Sequence, residues 1–218
     1  VEKTKKKRGV QGSRVKLLTE DDQYDTGKAV SAYQKLAAEG AAAILASTYG
    51  GVFATAQRAH KDNVIVINPL DCNNDIAALA ENTFCIATES ESIGRVLAAE
   101  IKRRTQLPAL IIYDEKNPFM ELVQKVILAE LRGGASSQGV DQNSADFKPL
   151  LTRAQKQQPA ALVFLGHDPM GRGMREARML GLEARFYTVG TITSPGFQEL
   201  AGPAADGALV AFWEAPRG

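Results

Sequence analysis

Histidine 167 and its neighbours are the first residues whose types suggest chemistry. The run Gly166-His167-Asp168-Pro169-Met170-Gly171-Arg172-Gly173 places an imidazole beside a carboxylate, the pairing that orients a general base in hydrolases. No serine or cysteine sits in a G-x-S-x-G elbow to supply a nucleophile. The same run lacks the Lys-Ser/Thr pair of a phosphate loop and the full G-x-G-x-x-G of a dinucleotide site, so its glycines read as permitting close backbone approach. His167 is thus expected to touch a ligand or rim a cleft. The other histidine, His60, falls on a helix expected to be exposed.

The stretch Asp21-Asp22-Gln23-Tyr24-Asp25 has enough carboxylate to hold Mg²⁺ if the groups share a face. It lies between a strand and a helix, so Asp25 or Thr26 as a helix cap is the simpler reading. Cys72 and Cys85 fit no zinc-knuckle spacing. Two lone thiols suit a cytosolic chain, whereas one disulfide suits an exported one. Tyr49, Phe53, Phe119 and Trp213 are the aromatics that could wall a pocket. Phe53 is expected in the core; Tyr49 and Phe119 fall in loops.

The elements that must position these groups alternate. Strand-like runs occur at Val15–Thr19, Ala42–Leu45, Val64–Ile67, Ala109–Tyr113, Ala160–Leu165, Arg185–Thr188 and Ala208–Phe212. Helical periodicity is clearest over Lys28–Glu39, Ile93–Arg104, Met120–Arg132 and Met170–Leu180. Leu110-Ile111-Ile112 and Leu162-Val163-Phe164-Leu165 are apolar on both faces, the mark of parallel strands covered on each side. The fold class is therefore α/β with parallel sheets. The alternation pauses between Pro69 and Ser90, which reads as a crossing between two units near Ala87–Ser90. Ligands of such sheets bind beyond the carboxyl ends of the strands. That rule selects the loops Glu20–Asp25, Ala46–Gly51, Asn68–Asn74, Asp114–Phe119, Gly166–Asp168 and Val189–Thr193.

Composition narrows the function classes. The 218 residues carry a net charge of +1, with 44% hydrophobic and 23% charged residues. Nothing in that balance draws the whole molecule to nucleic acid or an anionic membrane. The local run Lys3, Lys5, Lys6, Lys7 and Arg8 reads as a solvated helix end before the Gly9-Val10-Gln11-Gly12 turn rather than as a nucleic-acid arm. No window of roughly 18 apolar residues supplies a membrane span. The opening Val1-Glu2-Lys3 reads like the inside of a helix and not like a signal peptide.

Several stretches in order carry a resemblance. They are Gly9–Leu17 followed by Glu20–Asp25, Val66-Ile67-Asn68-Pro69, Asp146-Phe147-Lys148-Pro149-Leu150, Ala177–Leu182 and Ala201–Gly207. Together they resemble the leucine/isoleucine/valine-binding proteins, type I periplasmic binding proteins that deliver solutes to an ABC importer. Domains related to them sense ligands in receptors and regulators. The resemblance implies two Rossmann-like lobes with parallel sheets: residues 1–88 as the N-terminal lobe, 89–212 as the C-terminal lobe and 213–218 as a second crossover. It also implies a partial chain, lacking the family's first strand and C-terminal segment. The Val15–Thr19 strand would then have no inner neighbour in the 2-1-3-4-5 order, and the 218 residues alone would be poorly stable. A sharp, cooperative melt would count against that expectation.

For function, the resemblance implies a non-enzyme that captures a small solute and hands it to a membrane permease, in the periplasm or outside the cell. It implies no cofactor, metal or nucleic-acid partner. It implies a ligand set of Thr48, Tyr49, Gly50, Leu70, Cys72 and Asn73 from the first lobe, and Phe119, His167 and Thr191 from the second. Export favours a Cys72–Cys85 disulfide. The family holds an amino acid's carboxylate with a loop serine and a threonine, and its ammonium with an acid. Those positions are Tyr49, Cys72 and Gly190 here. Thr48 and Thr191 stand beside two of them as substitutes, but a buried ammonium facing Gly190 has no counter-charge, which argues against a plain α-amino acid. The rival readings are a ligand-sensing domain of the same fold and a small α/β enzyme using His167 with Asp168 or Asp114.

Overall fold

A computed structural model describes residues 14–212. The basic run Lys3–Arg8, the turn after it and Trp213 lie outside the described residues. Two parallel sheets organise the chain. The first has the order β1-β2-β3, formed by β1 (Ala43–Leu45), β2 (Ile65–Asn68) and β3 (Thr83–Cys85). The second is formed by β4 (Ala109–Asp114), β5 (Ala135–Val140), β6 (Ala161–Leu165), β7 (Arg185–Val189) and β8 (Leu209–Ala211). Its order is β5-β4-β6-β7-β8, the doubly wound arrangement with a reversal of direction between β4 and β6.

Alternation along the central strands of the second sheet feeds two cores. Leu110, Ile112, Leu162, Phe164 and Phe186 point to one face; Ala109, Ile111, Val163, Leu165 and Tyr187 point to the other. The first face is covered by α6 (Phe147–Gln157), α7 (Met170–Met179) and α8 (Pro195–Ala201), through Phe147, Leu151, Met174 and Phe197. The second is covered by α4 (Glu91–Arg104) and α5 (Pro118–Leu131), through Leu97, Ile101, Val123 and Ile127. In the first sheet Ile44 and Val66 pack on Tyr33 of α1 (Thr26–Ala38) and on Val52 and Ala59 of α2 (Tyr49–Lys61). The chain leaves that sheet after Cys85, having passed the short α3 (Asn74–Ala77), and enters the second unit with α4.

One expectation is corrected. Residues 15–19 form no strand. β1 is the edge of its sheet, and no strand among the described residues offers residues 15–19 a hydrogen-bonding neighbour, so their alternation has no ladder to join. The helix-start readings hold. Asp25 caps α1 by accepting from the Lys28 amide at 2.8 Å, and Asp146 caps α6 through the Lys148 amide at 3.1 Å.

Candidate functional site

The strand tips of both sheets open onto one cavity of about 710 Å³. From the first unit come Ser47, Thr48, Tyr49 and Gly50 after β1, Pro69, Leu70 and Asp71 after β2, and Ile86, Ala87 and Thr88 after β3. The second contributes Asn117, Pro118, Phe119 and Met120 after β4, His167 after β6, Thr191 after β7 and Phe212 after β8. Tyr24 and Thr26, at the start of α1, complete the wall. Seven of the nine expected ligand residues lie on this wall: Thr48, Tyr49, Gly50, Leu70, Phe119, His167 and Thr191.

Cys72 and Asn73 are placed elsewhere. Cys72 is bonded to Cys85, tying the loop after β2 to the end of β3. Its amide donates to Ser90 Oγ at 3.2 Å, and its carbonyl accepts from the Ser90 amide at 2.8 Å. The Asn73 side chain is already committed. Oδ1 caps α3 by accepting from the Ile76 amide at 2.9 Å, while Nδ2 donates to Tyr49 Oη at 3.0 Å and to Glu91 Oε1 at 3.1 Å. Asn73 therefore positions Tyr49 from behind instead of facing the cavity. The Tyr49 ring lies 4.9 Å from Phe53 and 6.3 Å from Phe119, and burial raises its hydroxyl pKa.

The two units touch at the cavity's edges. The Tyr24 ring lies 4.5 Å from that of His167, tilted by 36°. At Gly50, a Cβ would stand 2.5 Å from Thr26 Oγ1 and 3.2 Å from Pro118 Cγ, so the absent side chain is what lets α5 approach.

His167 is held by a polar relay. Its amide donates to Gln142 Oε1 at 2.7 Å, and Gln142 Nε2 donates to Asp114 Oδ2 at 2.7 Å. Asn117 caps α5, with Oδ1 accepting from the amides of Phe119 at 3.0 Å and Met120 at 3.3 Å. That fixes the orientation of the Asn117 amide and turns Nδ2 toward His167 Nε2, 3.2 Å away. Nε2 must then accept, which places the imidazole proton on Nδ1 and keeps the ring neutral. Burial pushes the same way, lowering the His167 pKa, while Asp114 and Asp168 pull it up.

Sequence reasoning marked the right loops but not Asp71. This carboxyl is only 7% exposed. Burial pushes its pKa up to about 6, with Asn68 opposing. Asn68 Oδ1 accepts from the Leu70 and Asp71 amides at 2.9 and 2.8 Å, which turns the loop so that Asp71 reaches the wall. Tyr24, Thr26, Asn117 and Phe212 were missed too. The strand-tip rule held the signal for Asp71, Tyr24 and Asn117, since all three lie in loops it selects.

The acidic run is otherwise occupied. Asp21 accepts from the Gln23 amide, Asp22 from the Tyr24 amide and the Thr48 hydroxyl, and Asp25 from the Lys28 amide. At Gly190, a Cβ would stand 2.5 Å from the Phe212 ring, so any side chain there displaces that ring.

Comparison with known proteins gives the family and the fold. A family model described as periplasmic binding protein matches residues 1–217. The Leu/Ile/Val-binding protein of Escherichia coli (strain K12) is 22% identical over 211 residues, covering 94% of this chain and 58% of that protein. Leu/Ile/Val-binding protein homolog 1 of Brucella suis is 24% identical over 217 residues, covering 96% and 58%. A leucine-binding protein from Thermotoga maritima superimposes with a TM-score of 0.84 at 19% identity, over 95% of this chain and 61% of that one. A fatty acid ABC transporter substrate-binding protein from Thermomonospora curvata gives 0.78 at 18% identity, over 96% and 56%. The chain thus spans 58% of the length of the curated relatives named.

Proposed function

The chain belongs to the periplasmic binding protein family, of the type I leucine/isoleucine/valine-binding kind, and from that premise we propose that it captures a small solute between two lobes and hands it to the membrane permease of an ABC importer. The observation that carries this reading is a cavity walled by strand tips of both sheets, with Tyr49 on one side and His167 on the other. A solute held there bridges the lobes, and hinge closure around it excludes water. We propose the lobe boundary at residue 88, with residues 89–212 as the second lobe; the second crossover expected at 213–218 lies outside the described residues.

The proposed contact set is Thr48, Tyr49, Gly50, Leu70, Phe119, His167 and Thr191, with Tyr24, Asp71 and Asn117 added. Cys72 and Asn73 serve as supports for Asp71 and Tyr49. No bond of the solute is broken. The His167 ring is in contact with the Asn117 amide and the Tyr24 ring, which suits a group that holds a solute. The Cys72–Cys85 disulfide supports a periplasmic or extracellular location. No helix among the described residues is long and apolar enough to cross a membrane.

The test is a thermal-shift screen of the full-length gene product against amino acids, aromatic and fatty acids, amides and short peptides. Binding raises the melting temperature by mass action. At least one class should do so in a saturable way; silence from every class would remove the reading.

A further inference from the structure

Resting on that reading, we propose that the cavity selects a solute with an apolar body and a cationic amine, and that Asp71 is the residue that selects it. Among the described residues, Asp71 is the one carboxylate on the wall, and no lysine or arginine joins it there. His167 does not supply a positive charge, because Asn117 donates to its Nε2. Lys116, which lines the adjoining polar chamber, is paired with Asp141 at 2.5 Å.

The hydroxyl protons point the same way. Thr48 donates its proton to Asp22 Oδ2 at 3.0 Å, and Thr191 donates to the Gly166 carbonyl at 2.7 Å. Both are left to offer lone pairs to a guest, as Asp71 does. These three acceptors suit N–H donors and disfavour a carboxylate set against them. Asp71 itself takes one side-chain bond from the protein, a 3.5 Å contact from Asn68 Nδ2. A carboxylate so poorly paired is costly to bury, and an ammonium arriving with the solute offsets that cost.

The rest of the wall fits the apolar body. Tyr49, Leu70, Ile86, Phe119, Met120 and Phe212 supply it. The volume of about 710 Å³ falls in the usual range for small-molecule sites, roughly 300–1,000 Å³. The aromatic rings of the same wall can add cation–π attraction for an ammonium.

Three probes of similar shape and different charge test this: phenethylamine, 3-phenylpropanamide and 3-phenylpropanoate. Each is titrated calorimetrically into the full-length protein at about pH 8, where Asp71 is ionised. Phenethylamine should bind at least about tenfold tighter than the propanoate, the ratio of one modest charge pair. Asp71→Asn should erase that preference, and Asp71→Glu should keep part of it. Equal or tighter binding of the propanoate overturns the proposal, as does an amine affinity unchanged in Asp71→Asn. Silence from phenethylamine overturns it too. If acids or neutral solutes still register in the broad screen, the binding reading survives that failure; if nothing registers, both fall.

Discussion

Cys72 and Cys85 join two walls of the cavity, and removing their bond gives a result whose size the chain itself sets. The cysteines are 13 residues apart. A crosslink closing a loop of that length removes unfolded-state entropy worth about 3 kcal/mol. For a chain of this size each kcal/mol moves the melting temperature by roughly 2–4 °C. Replacing both cysteines by serine should therefore lower the melt by about 6–12 °C.

The fold should survive, because the Cys72 and Ser90 backbones still bond each other at 2.8 Å and the Asn73 cap of α3 is untouched. Solute affinity should fall as well, since the freed segment carries Leu70 and Asp71 on one side and leads into Ile86–Thr88 on the other. The assay is thermal melting of wild type and the double serine variant, each with and without reductant. Reductant should lower the wild-type melt toward that of the variant and leave the variant unmoved. A variant melting within about 1 °C of wild type, under roughly 0.5 kcal/mol, would refute the reasoning.

Three further outcomes follow from the site. Burial holds the Asp71 pKa at about 6 against an ordinary 3.8; with the folded value raised, stability is full below 3.8 and is lost as pH rises through 6, by about 3 kcal/mol. Asp71→Asn should accordingly raise the melt of the solute-free protein above about pH 7 and match wild type near pH 4, and equal melts at both pH values would contradict this. Gly50→Ala places a methyl between Thr26 and Pro118, which should prop the lobes apart and weaken solute binding about tenfold by depleting the closed state; a calorimetric affinity equal to wild type would show that closure does not pass through this contact. Asn117→Ala should cost about 1 kcal/mol as a lost helix cap and, by freeing Nε2, move the His167 titration to higher pH in an NMR measurement, which a merely structural cap would not do.

The legible parts of the fold were those whose burial is written into local composition. Leu110–Ile112 and Leu162–Leu165 announce central parallel strands because both their faces are covered. β5, Ala135-Ser136-Ser137-Gln138-Gly139-Val140, has no such run; it is an edge strand, and its hydrogen bonds to β4 do not show in side-chain type. Val15–Thr19 misleads in the opposite direction, since its residues suit a strand whose neighbour is not among the described residues.

At the site, topology was enough to nominate loops, because strand tips converge wherever parallel sheets face each other. Side-chain direction was not readable. Asn73 looked like a ligand contact, but an Asn just before a helix is drawn to its cap, and α3 takes it. Asp71 had no local mark of burial; Asn68, which accepts from the Leu70 and Asp71 amides, turns it inward. The Tyr24–His167 contact joins distant parts of the chain through the approach of the two units, which no local pattern encodes.

The central claim is that one solute is gripped from both lobes at once. Amide hydrogen exchange of the full-length protein, with and without the first solute that raises its melting temperature, tests this most directly. Exchange should slow together in the Thr48–Gly51 segment of the first lobe and in Asn117–Met120, His167 and Thr191 of the second. Protection confined to one lobe, or lying away from all these segments, would contradict it.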